Sequence, residues 1–354
     1  MISKQQFAKA KAEEQSIKCV VWDLDNTVWP GILLEGDHVT LRDGVVETMQ
    51  ELDQRGILNS IASRNDYDAA MKKLEAFGLT DYFLYPEINW NSKSHSLQKI
   101  AKSLNIGLDT FAFVDDQPFE REEVAFAHPE VLCIDAADVH KMLDMPRMIP
   151  RFITPESRLR RQMYQSNMKR NQAEAEFTGA NEEFLATLGM VFKIKSAEES
   201  DLQRAEELTM RTHQLNTTGY TYSYDELNQL RHSEDHLLFV ASLDDKYGTY
   251  GTIGLSLIEV SAQFWTIKLL LMSCRVMSRG VGTIMMSYIM SRAKEANVRL
   301  RAQFVPNGRN RMMYVTYKFG GFYDVFKEGD LIVLENDLKQ IQPLPDYVDV
   351  KICV

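Results

Sequence analysis

The stretch KCVVWDLDNTVWPG, residues 18–31, decides how the first half of the chain is read. Its core, Cys19-Val20-Val21-Trp22, is short, apolar and rich in β-branched residues, the pattern of a buried strand. The run ends in carboxylates at Asp23 and Asp25, whose i, i+2 spacing puts both side chains on one side if the strand continues. Similar runs recur at ILNSIAS (57–63), TFAFVDD (110–116) and EVLCID (130–135), separated by amphipathic stretches at 67–78 and 94–107. Alternating strand and helix predicts an α/β domain, a parallel sheet covered on both faces.

Open sheets of that kind bind ligands at the carboxyl ends of their strands. Ser63 follows one predicted strand, Lys93 lies in NWNSKSHS, and Asp115 and Asp116 end another. Phosphoryl transfer needs such a set: a carboxylate nucleophile, a second carboxylate for the leaving-group proton, and Mg²⁺ with a lysine and a hydroxyl to neutralise the equatorial oxygens. Hard oxygen ligands suit Mg²⁺.

This ordered set resembles the haloacid dehalogenase (HAD) superfamily, in particular its subfamily IIIC phosphatases, over residues 17 to about 140. The resemblance implies a HAD-like Rossmannoid sheet, with Asp23 as nucleophile and Asp25 as acid/base. It makes Thr27, Ser63, Arg64, Asn65 and Lys93 the phosphate binders, and Asp23, Asp25, Asp115 and Asp116 the metal-side acids. Only a flap and a helix fit between Asp25 and Ser63, so no large cap domain is expected.

The 354-residue chain is long for one core and predicts more than one domain. It is 45% hydrophobic and 25% charged, as a folded globular protein is. A formal charge of -10 argues against nucleic-acid binding. No apolar run is long enough for a membrane span. Cys19, Cys133, Cys274 and Cys353 are far apart, suggesting neither a disulfide framework nor a zinc site, and a cytoplasmic location is expected. Proline-rich, basic sequence marks a connector at 146–178. The expected order is a leader at 1–16, the phosphatase domain at 17–145, the connector, an α+β domain at 179–340 and a tail at 341–354.

In the second domain, LMSCRVMSRGVG (271–282) sets Cys274 between a predicted strand and a glycine turn that opens a long helix. This order resembles the GCN5-related N-acetyltransferase (GNAT) fold, although Met277 stands where that family usually has Arg or Gln. Nearby positive charge and a helix N-terminus favour thiolate character, which an acyl-carrying cysteine requires. His213 is a candidate base. Asn216 is a candidate oxyanion donor. Arg275, Arg279, Gly280, Gly282, Arg309, Asn310 and Arg311 are candidates for acyl or carrier binding. The basic residues at 147–170 and 292–311 would steer an acidic partner.

The strings DLDNTVWPG, VDDQPFEREEV, ELTMRTHQLNTTGYTYSYDEL, LLLMSCRVMSRGVG and FVPNGRNRMMYVTYKFGGF together resemble FkbH-like glyceryltransferase/phosphatases, over nearly the whole chain. That resemblance implies a bifunctional enzyme. Its members take 1,3-bisphosphoglycerate, remove both phosphates and load D-glycerate as a thioester on the phosphopantetheine arm of an acyl carrier protein. The product becomes a hydroxymalonyl or methoxymalonyl extender, or enters a tetronate. The alternatives are a small-molecule phosphatase with a degenerate appendage, a CoA-dependent N-acyltransferase with an inert first domain, and a non-catalytic carrier-docking scaffold.

Overall fold

The computed structural model describes residues 15–36, 38–277 and 279–353, so nearly all of the expected leader lies outside the described residues. Two compact units divide after Gln165. The first is built on a five-stranded sheet of order β3-β2-β1-β4-β5, parallel throughout. Its strands are β1 (Cys19–Trp22), β2 (Leu58–Ser63), β3 (Glu87–Ile88), β4 (Phe111–Asp115) and β5 (Leu132–Asp135). Helices α1 (Val45–Gln54), α2 (Tyr67–Ala76), α3 (Lys93–Leu104) and α4 (Pro118–Ala127) connect them.

Burial explains the composition of β1: all four residues are buried between neighbours on both sides, so no polar alternation remains. Trp22, Leu24, Val28 and Trp29 pack with Met49, Leu52, Val114 and Ile134 in one core. Side chains punctuate the helices. Asp66 caps α2 through Ala69 N–H, Ser92 caps α3 through His95 N–H, and Pro118 opens α4. Between Asp25 and β2 the described residues form only a 3₁₀ turn (Leu33–Glu35) and α1, with no cap domain.

The second unit is α+β. Its eight-stranded sheet has the order β11-β12-β10-β9-β8-β7-β6-β13. The strands are β6 (Met190–Ser196), β7 (His236–Asp245), β8 (Gly248–Val260), β9 (Phe264–Met272), β10 (Arg299–Phe304), β11 (Tyr323–Glu328), β12 (Leu331–Asn336) and β13 (Val348–Cys353). Helix α5 (Arg160–Glu176) occupies the predicted connector. Helices α6 (Leu202–Arg211), α7 (Tyr224–Arg231), α8 (Gly282–Glu295) and α9 (Arg311–Phe319) follow. One face of the sheet packs Phe192, Phe239 and Ile267 with Met285 and Ile289 of α8, and the other packs Leu255, Leu257 and Leu269 with Leu202 and Leu208 of α6. The segment expected as a tail is part of this sheet: β13 runs parallel to β6 from Val348↔Met190 to Cys353↔Lys195. That pairing joins residues more than 150 positions apart in sequence.

Most of the basic connector is consumed internally. Arg160 donates to Gly56 C=O (2.8 Å) and Arg161 grips both Asp53 oxygens (2.9 and 3.0 Å). In the second unit Arg170, 1% exposed, is bidentate to Asp245 at 2.6 and 2.8 Å and stacks 3.9 Å over Tyr250. Removing one partner of such a pair strands a buried charge. Arg170→Met is therefore expected to cost about 3–5 kcal/mol. The double change Arg170→Met, Asp245→Leu should recover most of that loss in urea unfolding, and equal losses in the two variants would contradict the ion-pair explanation.

Candidate active sites

In the first unit the predicted strand-end groups converge. One oxygen each of Asp23, Asp115 and Asp116 lie within 4.8 Å of one another. Lys93, at the first turn of α3, points its ammonium into this group. It bonds Asp23, donates to Ala62 C=O at 2.8 Å and lies 3.3 Å from Asp115. Burial works against the charge on Lys93, but Asp23 and Asp115 outweigh it and hold the amine above its ordinary value. Thr27 Oγ1 lies 3.5 Å from Asp23, and Ser63 lines the same cavity of about 200 Å³.

Two observations test whether the acidic group fits a hard cation. Burial raises the Asp115 carboxyl to about 6, against the pull of Lys93 and with a push from Asp23. Burial, then Asp23, also raises Asp116, whose Oδ1 is buried without a hydrogen-bond partner among the described residues. Three crowded carboxylates with an unanswered oxygen are a donor set for Mg²⁺. The Asp25 carboxylate lines the same cavity but stands outside this three-carboxylate cluster.

The Asp25 side chain is held elsewhere. Its Oδ1 accepts from Trp29 Nε1 (2.7 Å) and Leu33 N–H (3.1 Å), and its Oδ2 from Asn65 Nδ2 (3.0 Å). Burial raises its pKa, the Leu33 and Trp29 donors pull it down, and Asp23 pushes it up again. A fixed carboxyl with a raised pKa suits proton transfer to a leaving group. Asn65 therefore orients Asp25 in this structure instead of facing a phosphate. Arg64 pairs with Glu120 at 2.9 Å, and Glu120 lines the cavity.

Trp29, Asn65 and Glu120 thus act around the site in ways sequence reading missed. Trp29, four residues after Asp25 in the same motif, was the available signal. Trp29→Phe deletes a donor that lowers the Asp25 pKa. The Asp25-dependent limb of the pH profile is expected to move to higher pH, and an unmoved limb in a folded variant would assign that limb to another group.

In the second unit, β9 and β10 pair in parallel only from Phe264↔Arg299 to Ile267↔Ala302. Beyond that point residues 215–217 fill the gap. Met272 N–H donates to Leu215 C=O (2.9 Å), Thr217 N–H to Leu270 C=O (3.1 Å), and Val305 N–H to Thr217 C=O (3.0 Å). The bridge Asn216↔Leu271 is antiparallel. It is an isolated bridge, and residues 213–215 lead into it through a bend and a turn. Cys274 is half-buried and begins a 3₁₀ turn, Cys274–Val276, capped by Ser273, whose hydroxyl accepts from Arg275.

Asn216 is fully buried; its Oδ1 accepts from Thr218 and Gly219 N–H, while its Nδ2 has no hydrogen-bond partner among the described residues. Two expectations need correction. Asn310 is buried and donates to the carbonyls of Asn216 and Val305, both at 2.9 Å, so it builds the segment instead of facing a ligand. Its neighbour Asn307, unnoticed in the sequence, donates to His213 C=O at 3.1 Å. Arg279 is 1% exposed and bonds Glu174 (2.8 Å) and Asn171 (3.0 Å), so its charge is already neutralised.

Gly280 has φ +68°, and a Cβ there would strike Tyr347 Oη, whereas Gly282 at the start of α8 faces open space. Arg309 and Arg311 are exposed, but Arg299 and Arg301 pair with Glu335, thinning the second basic patch. Of the other cysteines, Cys19 is buried with its thiol pushed far up, Cys133 is pushed up by burial to about 11, and Cys353 is exposed on β13. Among the described residues no helix is long and apolar enough to cross a membrane.

Residues 30–120 match the family model of the haloacid dehalogenase-like hydrolases. Human magnesium-dependent phosphatase 1 is 29% identical over 136 residues, which are 33% of this chain and 76% of that protein. Among solved structures, the N-terminal part of a Bacteroides fragilis protein, containing a phosphatase domain complexed with Mg, aligns at 27% identity and a TM-score of 0.35. The alignment covers 41% of this chain and 43% of that one. The Escherichia coli ribosomal-protein-S18-alanine N-acetyltransferase aligns at 15% identity and a TM-score of 0.34, over 41% of this chain and 93% of that one. Residues 30–120 are thus similar to the haloacid dehalogenase-like hydrolases, and the second unit is an α+β domain.

Proposed function

We propose that this protein is a Mg²⁺-dependent glyceryltransferase/phosphatase of the FkbH-like kind, acting in the cytoplasm. It takes 1,3-bisphosphoglycerate, removes both phosphates and loads D-glyceryl as a thioester on an acyl carrier protein for polyketide biosynthesis. The observation that supports this reading is the carboxylate–lysine site of the first unit, in a chain whose second unit also holds a half-buried Cys274 just beyond β9.

The substrate has two phosphates of different reactivity. Its acyl phosphate is activated toward a thiol. The Cys274 sulfur attacks the acyl carbon, a C–S bond forms, the C–O bond to phosphate breaks and inorganic phosphate leaves. His213 takes the thiol proton, and the unpaired Asn216 amide donates to the oxyanion. The phosphomonoester is unactivated and needs the first unit. Asp23 attacks phosphorus, Asp25 protonates the departing alcohol oxygen, and water then releases phosphate from Asp23. Lys93, Ser63 and Thr27 bind the phosphoryl oxygens, and Asp23, Asp115 and Asp116 would hold Mg²⁺, which when bound neutralises charge developing on them. The thioester finally passes to the carrier thiol, regenerating Cys274.

Phosphate stoichiometry tests this reading. Two inorganic phosphates are expected per carrier loaded, both dependent on 1,3-bisphosphoglycerate. Phosphate release that proceeds unchanged without a carrier and with Cys274→Ala would favour a simple phosphatase.

A further inference from the structure

The floor of the first cavity is charged, and its exposed lining sets three apolar side chains beside Arg64 and Gln117. Ile32 (41% exposed), Leu34 (54%) and Trp90 (69%) line the same cavity as Asp23, Ser63 and Lys93. Hydrogen-bonded turns present all three. Gly31 N–H donates to Asn26 Oδ1 at 2.9 Å and Leu33 N–H to Asp25 Oδ1 at 3.1 Å, fixing the backbone on either side of Ile32. Asn89 N–H donates to Ser63 C=O at 3.0 Å and Asn91 N–H to Asn89 Oδ1 at 2.9 Å, fixing the turn that carries Trp90.

Isolated exposed apolar residues are ordinary, but several converging on one charged cavity mark a ligand surface. The Leu33–Asp25 bond also decides which part of a ligand meets them. Asp25 is the group that protonates the departing oxygen, so the chain beside it faces the leaving alcohol, while Lys93 and the acidic cluster face the phosphoryl group.

We propose that Ile32, Leu34 and Trp90 form a leaving-group subsite. It favours phosphomonoesters whose leaving alcohol continues beyond the cavity floor into an apolar chain, as a glyceryl unit carried on a thioester does, over free esters of short, hydroxylated alcohols. The inference rests on the phosphatase reading of this cavity and deepens it.

The test compares hexyl phosphate with glycerol 3-phosphate on the full chain with Mg²⁺. The kcat/KM ratio is expected to favour the hexyl ester, to fall about tenfold in Trp90→Ala and to be largely restored in Trp90→Phe. A wild-type ratio near unity, or a ratio unmoved by Trp90→Ala, overturns the subsite. A binding arm separates this from failure of the phosphatase reading: calorimetry of both esters with Asp23→Asn, with and without Trp90→Ala. Tighter, Trp90-dependent hexyl binding without wild-type turnover keeps the subsite and rejects the phosphatase. Equal affinities reject the subsite.

Discussion

Asp23→Asn is expected to lower phosphomonoester hydrolysis by about four orders of magnitude or more while leaving the fold intact, because it removes the attacking carboxylate. The neutral amide also relieves the crowding of Asp23 with Asp115 and Asp116, so the loss cannot be blamed on electrostatic strain. The same substitution breaks the ion pair that offsets the burial of Lys93. Lys93 should therefore titrate lower in the variant, which chemical labelling of the amine against pH would detect. Phosphate release retained within tenfold in single-turnover assays would remove Asp23 as nucleophile.

Cys274→Ala is expected to abolish the acyl-enzyme and with it carrier loading, while hydrolysis of simple phosphomonoesters in the first unit persists. The other cysteines give the comparison its force. Cys19 and Cys133 are held protonated by burial, and Cys353 sits in the outermost strand of the sheet. Intact-mass measurement after exposure to the acyl phosphate should show one adduct in the wild type and none in Cys274→Ala. Cys274→Ser provides a near-isosteric second variant against loss of folding. An adduct that survives Cys274→Ala would place the acyl group elsewhere.

The parts of this picture legible in the sequence were those set by local pattern and strand ends. An apolar run closing on Asp23, the DD pair closing another and Lys93 opening a helix follow from sheet topology, which brings strand ends together without any detail of side-chain contact. What sequence could not supply was the partner of each side chain. Arg279 looked like a free cation beside Cys274 and is bonded to Glu174, more than 100 residues away; Asn310 looked like a ligand contact and builds a backbone bridge. Strand β13 was missed because VDVKIC is short and its pairing with β6 is non-local. The closure of the β9–β10 gap by residues 215–217 was likewise invisible, since three residues carry no periodicity to read.

The central claim, that one chain joins acyl transfer to phosphate removal, is tested most directly on the carrier. An acyl carrier protein bearing its phosphopantetheine arm is incubated with the enzyme, Mg²⁺ and 1,3-bisphosphoglycerate, and its intact mass is measured. The expected result is an arm carrying glyceryl with no phosphate, lost in Cys274→Ala. An arm that stays unloaded, or that carries only phosphoglyceryl, would contradict the claim.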